Sequence, residues 1–387
     1  MEYDVQEFDP IRPYHDEELP AVFEELLANE QFRAVMRYIL PHMSDEQVAS
    51  AMRACKTKLD FQKTFCLPFL QSLVQKTANG LTLDHSALKK EDAHEYTYLS
   101  NHRDIVLDSA LLSALLVEYG KDTVEIAIGD NLLIYPWIKQ IVRINKSFAV
   151  ERGLTMRQIL QSSMRMSRYM HYVINEKKES IWMAQREGRS KDSSDHTADS
   201  IIKMLVMGGE GSIIDRLVDM HIVPLAISFE YDPCDYLKAL EFQLKRDNPD
   251  YKKSPEDDLL AMQTGVLGQK GHIHYQFAPC IDDELHALPE GMPKSELFST
   301  VAQMIDKGIH ANYRLYPGNY VAYDLLEQTT HMEGQYSAKD KAVFVEYLDS
   351  RLAKIDIPNK DESFLREKLL TMYANPVRNY LKAIENV

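Results

Sequence analysis

The run Thr97-Tyr98-Leu99-Ser100-Asn101-His102-Arg103-Asp104-Ile105-Val106-Leu107-Asp108 puts a histidine at the end of a strand-like stretch and a carboxylate further on, with five residues between His102 and Asp108. An imidazole oriented by a carboxylate can take a proton from a hydroxyl near neutral pH, because the carboxylate fixes the tautomer and stabilises the imidazolium. His102 is therefore the candidate general base and Asp108 its orienter. Asp104, nearer in sequence, is the alternative orienter.

Such a pair must be positioned by a sheet. From Tyr96 onward, short β-rich runs recur at Tyr96 to Ser100, Val124 to Ile128, Ile181 to Ala184, Val223 to Phe229 and Ile273 to Phe277. Helical patterns separate most of them, at Ser109 to Tyr119, Leu132 to Arg143, Met156 to Ile174 and Thr197 to Met207. Strands alternating with helices predict an α/β fold, a mostly parallel mixed sheet flanked by helices. In such sheets ligands sit at the carboxyl ends of strands, which is where His102 falls.

The flanking regions read as helix. Val22, Leu26, Leu27, Phe32, Val35, Met36 and Ile39 recur at helical spacing, and Ser44 to Gln47 is a capping box. After Pro279, helical patterns return at Phe298 to Ile305, Lys339 to Leu352 and Glu362 to Ala374. The expected plan is a helical N-terminal region over 1–92, an α/β domain over 93–285 and a helical C-terminal extension over 286–387.

Composition is that of a globular protein, 45% hydrophobic and 27% charged. The four cysteines, Cys55, Cys66, Cys234 and Cys280, form no C-x-x-C pair, so neither a zinc site nor a disulfide framework is expected. His272 and His274 share a strand face but lack an evident third ligand, and no metal is predicted. The acidic start Met1-Glu2-Tyr3-Asp4-Val5 carries no export signal, and no apolar window reaches the roughly 20 residues of a spanning helix. A cytoplasmic location follows as the expectation.

A net charge of −15 disfavours nucleic acid as a partner. Within Trp137 to Asp192, however, twelve basic residues face five acids. That island suggests a site for a phosphorylated or acidic ligand.

His102-Arg103-Asp104-Ile105 looks like the start of a kinase catalytic loop, but the asparagine five residues after the aspartate is here Ser109, and no Gly-rich loop or D-F-G accompanies it. A different set matches in order. The strand, His102 and the following aspartate resemble the N-H-x4-D block of the glycerolipid acyltransferase superfamily, the glycerol-3-phosphate and lysophosphatidate acyltransferases. Lys146-Ser147-Phe148-Ala149-Val150-Glu151-Arg152 is similar to its second block, Glu187-Gly188-Arg189-Ser190 to its E-G-x-R-S block, and Ile222-Val223-Pro224-Leu225 to its fourth. The resemblance spans roughly Tyr96 to Pro279. Departures are one extra residue between His102 and Asp108, one fewer between Gly188 and Arg189, and Lys146 where the family usually has glycine.

The resemblance implies an O-acyltransferase that moves a fatty acyl group from acyl-CoA or acyl carrier protein to a hydroxyl of glycerol-3-phosphate or lysophosphatidate in phospholipid synthesis. The donor thioester takes the place of any cofactor. His102 would remove the acceptor's proton, and the acceptor is itself the nucleophile. Arg152 and Arg189 would clamp the phosphate, with Lys146 beside them. Glu187 would hold a hydroxyl or an arginine, Gly188 would let the backbone approach the ligand, and Ser190 completes the block. Peripheral contact with the inner face of the membrane, and with an acyl carrier protein, are the partner expectations. A thioesterase-like hydrolase, transfer to another hydroxylated lipid and a non-catalytic lipid-binding module are the alternatives.

Overall fold

A computed structural model of the chain describes residues 3–88, 94–130, 133, 135–151 and 155–385. The expected boundary at 92/93 lies outside the described residues.

The chain opens with α1 (Leu19–Ala28), α2 (Glu30–Ile39), α3 (Asp45–Ala54), α4 (Lys58–Phe61) and α5 (Leu67–Thr77). Ser44 starts α3 with the reciprocal bonds its sequence predicts, Gln47 N donating to Ser44 Oγ at 3.3 Å and Ser44 N to Gln47 Oε1 at 2.7 Å. Phe23, Phe32, Phe61 and Phe65 give these helices their own apolar core, which Ile144 joins from the central region.

Seven strands form one sheet: β1 (Gly80–Asp84), β2 (Thr97–Ser100), β3 (Glu125–Gly129), β4 (Ser147–Val150), β5 (Ile181–Ala184), β6 (Ile222–Phe229) and β7 (His272–Phe277). Their spatial order is β1-β7-β6-β2-β5-β3-β4. β2 pairs in parallel with both β5 and β6, whereas β7 runs antiparallel to β6 and parallel to β1. The sheet is thus mixed and mostly parallel. β1 and β4 go beyond the five strands expected from sequence. Both are edge strands of five and four residues, paired on one side only.

Helices between the strands are α6 (Leu107–Glu118), α7 (Pro136–Ile144), α8 (Met156–Tyr172), α9 (Asp199–Leu205), α10 (Ile213–Val218), α11 (Asp235–Asp247) and α12 (Pro255–Leu267), and α13 (Asp282–His286) follows β7. They cover both faces. Along β2 the alternation of side chains sends Leu99 into a core with Met170 of α8 and Leu205 of α9, and Tyr98 into the opposite core with Leu111 and Leu115 of α6.

The chain ends with α14 (Lys294–Ala311), α15 (Pro317–Glu327), α16 (Ala338–Ala353) and α17 (Glu362–Glu385). Val301, Ile305 and Ile309 of α14 belong to the same core as Leu99, so this helix packs on the sheet although it lies past residue 285. Gly308 makes that approach possible, since a Cβ there would come within 2.7 Å of the Pro224 ring. Pro224 itself sits inside β6, where it lacks a donor, and its carbonyl still accepts from Ala278 N at 2.9 Å.

Candidate active site

β2 ends the central position of the sheet, and its exit is fixed by Asn101. The buried side chain makes two bonds to one residue of β6, donating from Nδ2 to Ile227 O and accepting from Ile227 N at Oδ1, both at 2.8 Å. His102 follows directly. Its Nδ1 lies 2.7 Å from Asp108 Oδ2.

Asp108 is in the first turn of α6 and fully buried. Its carboxylate also accepts from Arg103 N at 2.7 Å and Asp104 N at 3.1 Å, so the turn is folded around it. The extra residue between His102 and Asp108 is absorbed by that turn. Asp104 has the other duty, accepting at Oδ1 from Val106 N at 2.9 Å and Leu107 N at 2.8 Å, which caps the entry to α6. Burial, and then the charge of Asp108, hold the Asp104 carboxyl above its usual range. Of the two aspartates, Asp108 orients the histidine.

With Nδ1 donating to Asp108, His102 Nε2 is the basic nitrogen. The ring stands edge-on to Trp182 at 6.0 Å and lines a cavity of about 1360 Å³. This volume exceeds the roughly 300–1,000 Å³ of an ordinary small-molecule site. Part of the wall is apolar, from Phe32, Met36, Phe61, Phe65 and Ile141 of the N-terminal helices and α7. Another part is polar, with Arg186, Glu187, Arg189, Lys191, Lys238 and Glu241.

The β5 exit supplies the expected third block. Gly188 takes φ +68° with open space where a Cβ would stand, the left-handed turn that glycine adopts freely. Glu187 lines the cavity from an exposed position. Arg189 is near Cys234, Asp232 and Asp104, and its buried Nη1 has no hydrogen-bond partner. Ser190 is turned to the protein, its Oγ 3.0 Å from Asp192 Oδ1. Arg152 lies outside the described residues.

Lys146 does not join this group. It is buried at φ +58°, with Nζ 3.1 Å from both Asp122 and Glu179 and 3.3 Å from Thr123 O, so its charge is neutralised inside the fold. Much of the basic island behaves alike: Arg165 pairs with Glu151, Arg168 with Glu7, Lys177 with Glu125 and Lys191 with Glu241. Several of these acids lie outside the counted window, which is why the local count overstated the free charge. Among the described residues, Arg186, Arg189 and the ion-paired Lys191 are the members that line the cavity.

Both cysteines of the cavity wall have thiols raised by their surroundings. Burial pushes the Cys66 thiol up to about 12, and burial with the Asp232 charge pushes Cys234 up to about 11. The His102 imidazole, oriented by Asp108, can act as a general base on a hydroxyl or on water.

Sequence reasoning did not single out Asn101, although it is part of the quoted motif. It also did not find Lys238, which bonds Asp232 at 2.5 Å and Ser190 O at 3.4 Å, or Gly265 of α12, whose missing Cβ leaves room for Asp104 Oδ2. These come from helices far along the chain and carry no local signature.

Residues 84–228 match the model of the Acyltransferase family. No curated protein sequence matches the chain. Among solved structures, the chain is similar to the 1-acyl-sn-glycerophosphate (LPA) acyltransferase PlsC from Thermotoga maritima, with 11% identity, a TM-score of 0.36, and coverage of 76% of this chain and 96% of that one. The family match encloses His102, Asp108 and the Glu187 to Ser190 turn, so residues 84–228 are similar to an acyltransferase-family domain.

Proposed function

We propose that the protein is an O-acyltransferase that transfers a fatty acyl group from a thioester, acyl-CoA or acyl carrier protein, to a hydroxyl of glycerol-3-phosphate or lysophosphatidate. The observation that carries this reading is the His102–Asp108 pair at 2.7 Å on the wall of a cavity with both a broad apolar lining and an arginine-bearing polar lining. The apolar wall suits an acyl chain, and the guanidinium groups of Arg186 and Arg189 suit a phosphate.

In the reaction, the acceptor oxygen attacks the thioester carbonyl while His102 Nε2 takes its proton. Asp108 stabilises the imidazolium so formed. Collapse of the tetrahedral intermediate breaks the C–S bond, and His102 returns the proton to the departing sulfur, leaving an ester and a free thiol. Water must not replace the acceptor in this reaction.

Docking at a membrane surface is part of the proposal. Val106, Ile159 and Leu260 are exposed apolar residues that also line the cavity, so its rim is suited to lipid. Among the described residues no helix is long and apolar enough to cross a membrane.

An acceptor screen tests the reading: purified protein, a long-chain acyl thioester, and glycerol-3-phosphate or lysophosphatidate, with thiol release followed. Release that depends on one of these acceptors, with the matching ester formed, is expected. Release at the same rate without acceptor would instead identify a thioesterase.

A further inference from the structure

At the opposite end of the strands, where β2 and β6 begin, a second cluster of chemistry-bearing side chains is assembled. His221 enters β6 with φ +43°. Because β7 runs antiparallel to β6, its exit returns to that point, with Ile281 N donating to Ile222 O at 3.0 Å. Cys280 and Asp282 flank Ile281. One ligand atom from each of His221, Cys280 and Asp282 lies within 4.8 Å of the other two.

His221 Nδ1 is 2.6 Å from Asp282 Oδ2, and the other oxygen, Oδ1, is buried without a hydrogen-bond partner. His94, just ahead of β2, stacks on His221 with ring centroids 4.4 Å apart. From His221 to the level of Ile227, beside the catalytic turn, is about 20 Å along the strand. The cluster is separate from the acyltransferase cavity.

We propose that His221, Cys280 and Asp282 bind one zinc-type divalent cation, with His94 beside the remaining coordination position. Thiolate, imidazole and carboxylate together are the donors zinc takes, at about 2.0–2.3 Å, in tetrahedral geometry. Magnesium and calcium want six or more oxygens and are poorly served by a sulfur. On binding, His221 ligates as a neutral imidazole with its one ring proton on the nitrogen turned away from the metal, and the Cys280 thiol proton passes to solvent. The 2.6 Å pair then opens to roughly 3.3 Å, the spacing of two tetrahedral ligands.

The ion would tie the entry of β6 to the exit of β7 and stand next to the approach to β2. Its effect therefore falls on stability, not on the proton transfer at His102. Fifty-eight residues separate His221 from Cys280 in the sequence, and the antiparallel return of β7 is what joins them.

The test uses the full chain stripped with chelator and titrated with cobalt(II), then zinc(II), alone. The expected result is one equivalent of cobalt with a thiolate charge-transfer band and tetrahedral ligand-field bands, displaced by zinc. Zinc should also shield Cys280 of the unaltered protein from alkylation while leaving Cys66 unchanged, and should raise the melting temperature with zinc concentration. Cys280→Ser should abolish the band, and Asp282→Asn should weaken binding at least ~10-fold. Should Cys280→Ser fail to fold, the alkylation of the unaltered protein decides. Absence of a thiolate band, or equal alkylation of Cys280 with and without zinc, would overturn the proposal.

Discussion

Asp104 and Asp108 lie one helical turn apart with different duties, and they can be separated by mutation. Asp108→Asn should lower acceptor-dependent turnover by about 10²–10⁴-fold, because it disturbs the tautomer of His102. Asp104→Asn keeps an oxygen for the Val106 and Leu107 amides and should retain most turnover. Stability follows from the raised Asp104 carboxyl. A carboxyl whose folded pKa is raised contributes fully below its unfolded value of about 3.9, and that contribution is lost as pH rises through the folded value. The stability of Asp104→Asn relative to the native chain should therefore be lowest in acid and grow toward neutral pH, as read by urea unfolding at a series of pH values. A difference constant with pH would contradict the assignment. His102 and a nearby aspartate were legible in the sequence, because one short segment carries both. Which aspartate serves was not, since that depends on how the Arg103 and Asp104 amides wrap Asp108.

Two elements from far along the chain hold the His102–Asp108 turn in place. On α12, Gly265 admits the Asp104 carboxylate, where a Cβ would come within 2.0 Å. Helix propensity alone favours Gly265→Ala by roughly 1 kcal/mol, but overpacking against Asp104 should reverse the sign and destabilise by about 1–3 kcal/mol. A more stable Gly265→Ala protein in urea unfolding would refute the contact. The second element is the segment after α14. Tyr313 Oη donates to Asp195 Oδ2 at 2.7 Å, and the same carboxylate pairs with Arg103 Nη2 at 2.7 Å, next to His102. Asp195→Ala leaves the Arg103 guanidinium buried without that partner and should cost about 3–5 kcal/mol. Tyr313→Phe should cost about 1–3 kcal/mol through the donor it removes. Equal stability of all three proteins by urea unfolding would exclude this brace. The strands of the sheet interior were readable as apolar runs, whereas edge strands β1 and β4 were not. The braces were unreadable because each joins residues far apart in the chain.

At the scale of the molecule, the cavity is closed by elements outside the family match. Phe32, Phe61 and Phe65 come from the N-terminal helices, and Cys234, Lys238 and Leu260 from α11, its entry and α12. The resemblance singled out the His102–Asp108 pair but not the cavity around it, since the flanking helices carry periodicity without motif. Ser113 of α6 lines the cavity. Ser113→Phe should occupy part of the space and turn selectivity toward shorter acyl donors by about 10-fold or more, measured as the ratio of kcat/KM for a short and a long thioester. An unchanged ratio would place the acyl chain elsewhere. The measurement that bears most directly on the whole account is the initial rate of acceptor-dependent thiol release by His102→Ala, compared with the unaltered protein at equal melting temperature. The account predicts a fall of at least ~10²-fold with acceptor present, and a rate equal to that of the unaltered protein would contradict it.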